Sequence, residues 1–155
     1  MLIIGLAVFG ALLVIARLSR NDGIILSAVT LTCVWLSWSG FILATEIYEP
    51  WWFGIAIDAI AAFALTAPGA SRGLVALASL YWVQIAVHTS YGWSLTTQGK
   101  EPYELCTNVI DALAGLQILF VGGWGIVDIL RGGGVHPMER GEPDYLGMAK
   151  RGSEK

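Results

Sequence analysis

The stretch Leu105-Cys-Thr-Asn108-Val-Ile-Asp111-Ala-Leu-Ala-Gly115-Leu-Gln117-Ile-Leu-Phe-Val-Gly-Gly-Trp124-Gly-Ile-Val-Asp128-Ile-Leu130 decides the class of this chain. Asp111 and Asp128 are its only charged side chains. At ~1.5 Å of rise per residue a helix of this length reaches ~39 Å, enough to cross the ~30 Å hydrocarbon core of a bilayer. Working back toward the N-terminus, four more apolar segments appear: Leu2–Ala16, Ile24–Thr45, Trp51–Ala67 and Gly73–Tyr91. Glu49-Pro50 separates the second from the third, and Pro68-Gly69 stops the third. The expected fold is all-α: an integral membrane bundle of five transmembrane helices filling residues 1–130. Residues 131–155 open with three glycines, contain Pro137, Pro143 and mixed charges, and read as a mobile cytoplasmic tail. Leu2–Ala16 is short, ~22 Å as a helix, and needs snorkelling by Arg17 or local thinning of the bilayer.

Composition agrees. Of 155 residues 55% are hydrophobic and only 14% charged, against about 25% charged in soluble domains, and the mean hydropathy is +0.65. Net charge is −3 with no run of Lys or Arg, which excludes a nucleic-acid footprint. Cys33 and Cys106 fall about half a membrane apart, too far for a disulfide, and both are expected as small buried side chains. The first segment has no basic residues before it, while Arg17 and Arg20 follow it, as in a retained helix and not a cleaved leader.

Orientation follows from the basic residues. Arg17 and Arg20 lie in the first loop, Arg72 in the third, and Arg131, Arg140, Lys150, Arg151 and Lys155 in the tail; the fourth loop holds only Lys100. With the N-terminus outside and the C-terminus inside, all but one of the nine basic residues are cytoplasmic. Tyr48, Trp51, Trp52, Tyr91, Trp93 and Tyr103 then form a belt at the outer interface. The natural address is a bacterial inner membrane, with the bilayer as the main surroundings.

The third and fifth segments share a pattern, Ile57-Asp58-Ala59-Ile60-Ala61 and Ile110-Asp111-Ala112-Leu113-Ala114, each after a Glu-Pro pair (Glu49-Pro50, Glu101-Pro102). The preceding segments each hold a central Trp, Trp35 and Trp82. A duplication of the hairpins formed by helices 2–3 and 4–5 competes on even terms with chance similarity in Ile/Ala/Leu-rich helices.

The functional clue is a set of polar side chains inside apolar helices: Glu46, Asp58, Gln84, His88, Asn108 and Asp111, with Gln117 less informative. A charge near the bilayer centre costs at least ~2.5 kcal/mol, so such groups face a protein interior or a wet cavity. Most of these residues lie within ~10 Å of the outer interface by helix rise. Tyr81, Gln84, His88 and Tyr91, spaced 3, 4, 3, share one helix face. Asn108, Asp111 and Gly115 do the same on the fifth segment. So do Gly54, Asp58 and Ala62 on the third, where small neighbours admit another helix close to the carboxyl. His titrates near neutrality, so exchange of a proton or cation among His88, Asp58 and Asp111 is chemically reasonable. Interhelical hydrogen bonding worth ~1 kcal/mol per bond is the competing role and suits Gln84 and Asn108 better. Asp128, near the inner interface, is expected to pair with Arg131.

Other chemistries have less support. One His, two Asp and Glu46 could hold a hard cation, but no helix carries metal-ligand spacing, and no metal site is assigned. No nucleophile elbow, phosphate loop or redox Cys pair is present, which leans against an enzyme. Trp35, Trp38, Trp82 and Trp124 are expected to pack helices together; a wall for a pigment, quinone or lipid is the alternative, and no cofactor is named.

Through Glu49-Pro50-Trp51-Trp52-Phe53, Asp58 and the Gln84…His88 helix, segments two to five resemble short polytopic membrane proteins of bacterial and prophage genomes. That resemblance implies no catalytic residues and brings holin-like or envelope-modifying roles into view. The leading expectation is a small, oligomeric membrane protein with an outward-facing polar site for ion, proton or small-solute passage. The second is an interaction protein, an accessory subunit of a larger membrane complex or a holin-like assembly.

Overall fold

The computed structural model describes residues 2–45, 51–98 and 103–132; Glu46, the Glu-Pro pairs and residues 133–155 of the tail lie outside the described residues. The described chain is all-helical: α1 Leu2–Ser19, α2 Asp22–Thr45, α3 Trp51–Leu65, α4 Arg72–Gln98 and α5 Tyr103–Leu130. α2, α4 and α5 are long and apolar enough to cross a membrane, whereas α1 and α3 are shorter apolar helices.

Local chemistry fixes the turns. Arg20 adopts a left-handed φ of 56°, and the chain reverses between Ser19 and Asp22. Asn21 then caps α2, its Oδ1 accepting from the Gly23 amide at 3.0 Å. After α3, Ala67-Pro68-Gly69-Ala70 forms a turn closed by the Ala70 amide donating to the Ala67 carbonyl at 2.9 Å. Pro68 supplies the fixed φ, and Gly69 takes φ 87°, which a side chain would oppose. Thus the Pro68-Gly69 stop predicted from sequence ends α3 two residues early, at Leu65.

The helices pack in the cyclic order α1–α2–α3–α4–α5, with α5 closing on α1 and α2 also reaching α4 and α5. The α3–α4 interface is the most extensive. The core runs through Leu12, Ala28, Leu31, Leu65, Leu77 and Val121. Glycines set several close approaches. A Cβ on Gly73 would lie 2.5 Å from the Trp124 ring, and one on Gly125 would lie 2.6 Å from Ile15.

The outward surface is apolar. Only 17% of the apolar window of α5 is buried within the chain, and Ile60, Phe63, Leu119 and Leu130 are all exposed. Exposed hydroxyls on α4 return to their own helix: Ser79 donates to the Val75 carbonyl, Thr89 to Ile85 and Ser90 to Ala86. A surface that is greasy and also hides its hydrogen-bond donors suits hydrocarbon surroundings.

Two side chains depart from expectation, and a third, Trp82, packs against α3 unlike its proposed counterpart. Cys33 is exposed, not buried, because the buried face of α2 is set by Ile24, Ser27, Ala28 and Leu31. Asp128 accepts from Asn21 Nδ2 at 3.4 Å across 107 residues, and no ion pair to Arg131 forms among the described residues. Trp82 stands on the outside of the bundle, edge-on to Phe63 with ring centroids 5.5 Å apart. Its proposed counterpart Trp35 instead faces inward and stacks on Phe9 at 5.0 Å. The sequence similarity of the two hairpins therefore does not extend to equivalent side-chain surroundings.

Candidate functional site

A cavity of about 360 Å³ lies at the end of the bundle where α2 and α4 finish and α3 and α5 begin, and side chains of all five helices line it. Along α2 its wall runs from Leu31 to Ile42, roughly 16 Å of helix rise. Trp35 and Trp38 of α2, Trp51 of α3 and Tyr91 of α4 supply aromatic faces; Asp58, Gln84, His88, Asp111 and Gln117 supply the polar ones.

The stripe predicted on α4 is the one that turns inward. Tyr81, Gln84, His88 and Tyr91 are all buried. On α3 the buried positions Gly54, Asp58, Ala61, Ala62 and Leu65 follow helical spacing, so the carboxyl is held against α4. His88 Nε2 stands 3.5 Å from Asp58 Oδ2, with both side chains at least 95% buried. This is the one ion-pair contact among the described residues. The contact is an ion pair only when the imidazole is protonated and the carboxyl is not; hydrogen-bond geometry is not met, and Oδ2 has no hydrogen-bond partner among the described residues.

The imidazole is held on its other sides by packing. A Cβ at Gly54 would lie 2.6 Å from His88, so only glycine leaves room for the ring there. From α2, Trp38 stacks on His88 with centroids 5.8 Å apart and planes 24° from parallel. Gly92 performs the same service one turn on, where a Cβ would meet the Trp51 ring at 2.6 Å. Two glycines on the α3–α4 interface thus seat one ring each.

α5 closes the cavity. Gln117 Nε2 donates to Gln84 Oε1 at 2.9 Å, a buried link between α4 and α5. Gln117, Val121 and Gly125 are the buried positions of α5 at i, i+4 and i+8, a face rotated from the predicted Asn108–Asp111–Gly115 stripe. Asp111 lines the cavity from an exposed position, whereas Asn108 is exposed and stands outside it. Gln117, underweighted by sequence reasoning, is part of the wall; its mid-helix amide in an apolar run was the available signal. Of the six residues singled out, the structure brings Asp58, Gln84, His88 and Asp111 together and leaves Asn108 apart. Glu46 lies outside the described residues.

Chemically the site offers two carboxylates, one imidazole and aromatic walls. Among the described residues no three His, Cys, Asp or Glu side chains converge as a metal-binding group. No family model matches the chain, and no curated protein or solved structure shows detectable similarity to it.

Proposed function

We propose that this chain is a small membrane protein of the bacterial inner membrane whose five helices all insert, N-terminus outside, and whose cavity is an outward-facing site for passage of a proton, ion or small solute. The observation that carries this reading is the buried Asp58–His88 pair at 3.5 Å in the wall of the cavity. A carboxyl and an imidazole away from water are costly unless paired or used. Here the two groups stand 3.5 Å apart, a small side-chain rotation from a direct hydrogen bond, and they border a space large enough for a solute. The orientation rests on the basic residues, with α1 and α3 accommodated by thinning or snorkelling.

Passage is read in liposomes containing the purified full-length chain and an internal pH dye. The wild-type chain dissipates an imposed pH gradient faster than empty liposomes, and Asp58→Asn loses that activity while keeping helicity and particle size. An Asp58→Asn chain that conducts like wild type would overturn the reading. An interaction role would then take its place, with the buried polar groups acting as helix-to-helix contacts.

A further inference from the structure

The chemistry of the cavity wall specifies a solute more narrowly than passage in general. Among the described residues the lining carries Asp58 and Asp111 but no Lys or Arg, so an anion would face two carboxyl groups with His88 as the one titratable group able to oppose it. Hard inorganic cations require six to eight oxygen ligands for calcium or a near-octahedral shell for magnesium. This wall is mostly apolar, and no three acidic or His/Cys side chains converge among the described residues. A neutral apolar solute would fill the space but bring no charge to oppose the two carboxyl groups of the wall.

One class satisfies all three walls. Trp35, Trp38 and Trp51 line the cavity, and indole is the side chain that attracts organic cations best through its quadrupole. The carboxylates supply opposite charge, and Leu31, Ile110 and Ile118 supply an apolar floor. The volume of about 360 Å³ falls at the small end of the ~300–1,000 Å³ range of ligand pockets.

We infer that the cavity binds an organic monocation, an ammonium carried on a compact apolar or aromatic body, with Asp58 and Asp111 opposing the charge and the α2 indoles covering the body. This rests on reading the cavity as a membrane solute site and names the class of solute it takes. The same ammonium chemistry reaches the site either as a free solute or as the headgroup of a choline lipid.

The test is equilibrium binding of benzyltrimethylammonium to the full-length protein in nanodiscs, with benzenesulfonate as an anion of similar size and protein-free discs subtracted. Saturable binding of the cation without binding of the anion is expected. Asp111→Asn, at an exposed position, weakens the cation by about tenfold, the factor for one charge-assisted contact. Trp38→Leu weakens it as well. Binding equal in phosphatidylglycerol and phosphatidylcholine discs identifies a free solute; competition by phosphatidylcholine identifies a lipid headgroup, and either supports the inference. Equal binding of both ions, or cation binding untouched by Asp111→Asn and by Asp58→Asn, overturns it. Proton flux that depends on Asp58 without any cation binding would leave passage standing and remove the organic cation.

Discussion

Gly54 of α3 and His88 of α4 are matched: the imidazole occupies the space where any side chain at position 54 would begin, its nearest atoms 2.6 Å from the place of a Cβ. Because the ring is also covered by Trp38 and faces Asp58, it cannot yield without breaking one of those contacts. Gly54→Ala therefore forces an overpacked interface, which costs about 1–3 kcal/mol in a close-packed core. The expected result is a lower unfolding midpoint in detergent together with loss of Asp58-dependent flux. An alanine variant with wild-type stability and flux would mean that His88 does not rest against α3.

The Gln84–Gln117 link makes a different demand. Removing one partner strands a buried amide, whereas removing both leaves an apolar contact. Gln84→Leu and Gln117→Leu are each expected to destabilise the bundle by about 1 kcal/mol, with the double variant closer to wild type than the sum. Chemical denaturation in mixed micelles checks this as a double-mutant cycle. Strict additivity would show that the two amides do not meet.

Replacing His88 by Gln tests titration separately from hydrogen bonding, since the amide keeps donors and acceptors but does not change charge near neutrality. His88→Gln should retain a folded bundle and remove the part of the pH dependence of flux that the imidazole contributes. A pH profile identical to wild type would take His88 out of the pathway.

How much was legible beforehand depended on whether a helix had a distinguishable face. α4 did: Tyr81, Gln84, His88 and Tyr91 repeat at helical spacing within an otherwise apolar run, and all four are buried. α3 did too, through Gly54, Asp58 and Ala62. α5 carries polar side chains on two faces, Asn108–Asp111 and Gln117, and lipid is as apolar as a protein core, so the apolar pattern did not decide which of the two turns inward. The same ambiguity misplaced Cys33 on α2. Partners across long separations, such as Asn21 with Asp128 or Gln84 with Gln117, depend on helix rotation and were not readable. The existence of the helices was legible from composition, while the exact number that cross a bilayer was not, because α1 and α3 fall short of the length at which apolar content alone decides.

Sidedness is checked by cysteine labelling near the C-terminal end of α4 and in the tail, in a background lacking Cys33 and Cys106. Ser94→Cys should react with an impermeant maleimide from outside the cell, and Ser153→Cys only after the membrane is opened. Labelling of both from one side would remove the five-span arrangement.

The central claim, a wet cavity inside an apolar bundle, is tested most directly on neighbouring positions of α5. Ala114 lines the cavity and is partly buried; Leu116 is 50% exposed and lies outside it, on the apolar outer surface of the bundle. Thiolates form and react in water, not in lipid. In the cysteine-free background, Ala114→Cys should react from the outer side with a small charged methanethiosulfonate, and Leu116→Cys, although more exposed, should not. Leu116→Cys reacting as fast as Ala114→Cys, or Ala114→Cys remaining inert, would contradict a wet cavity at this site.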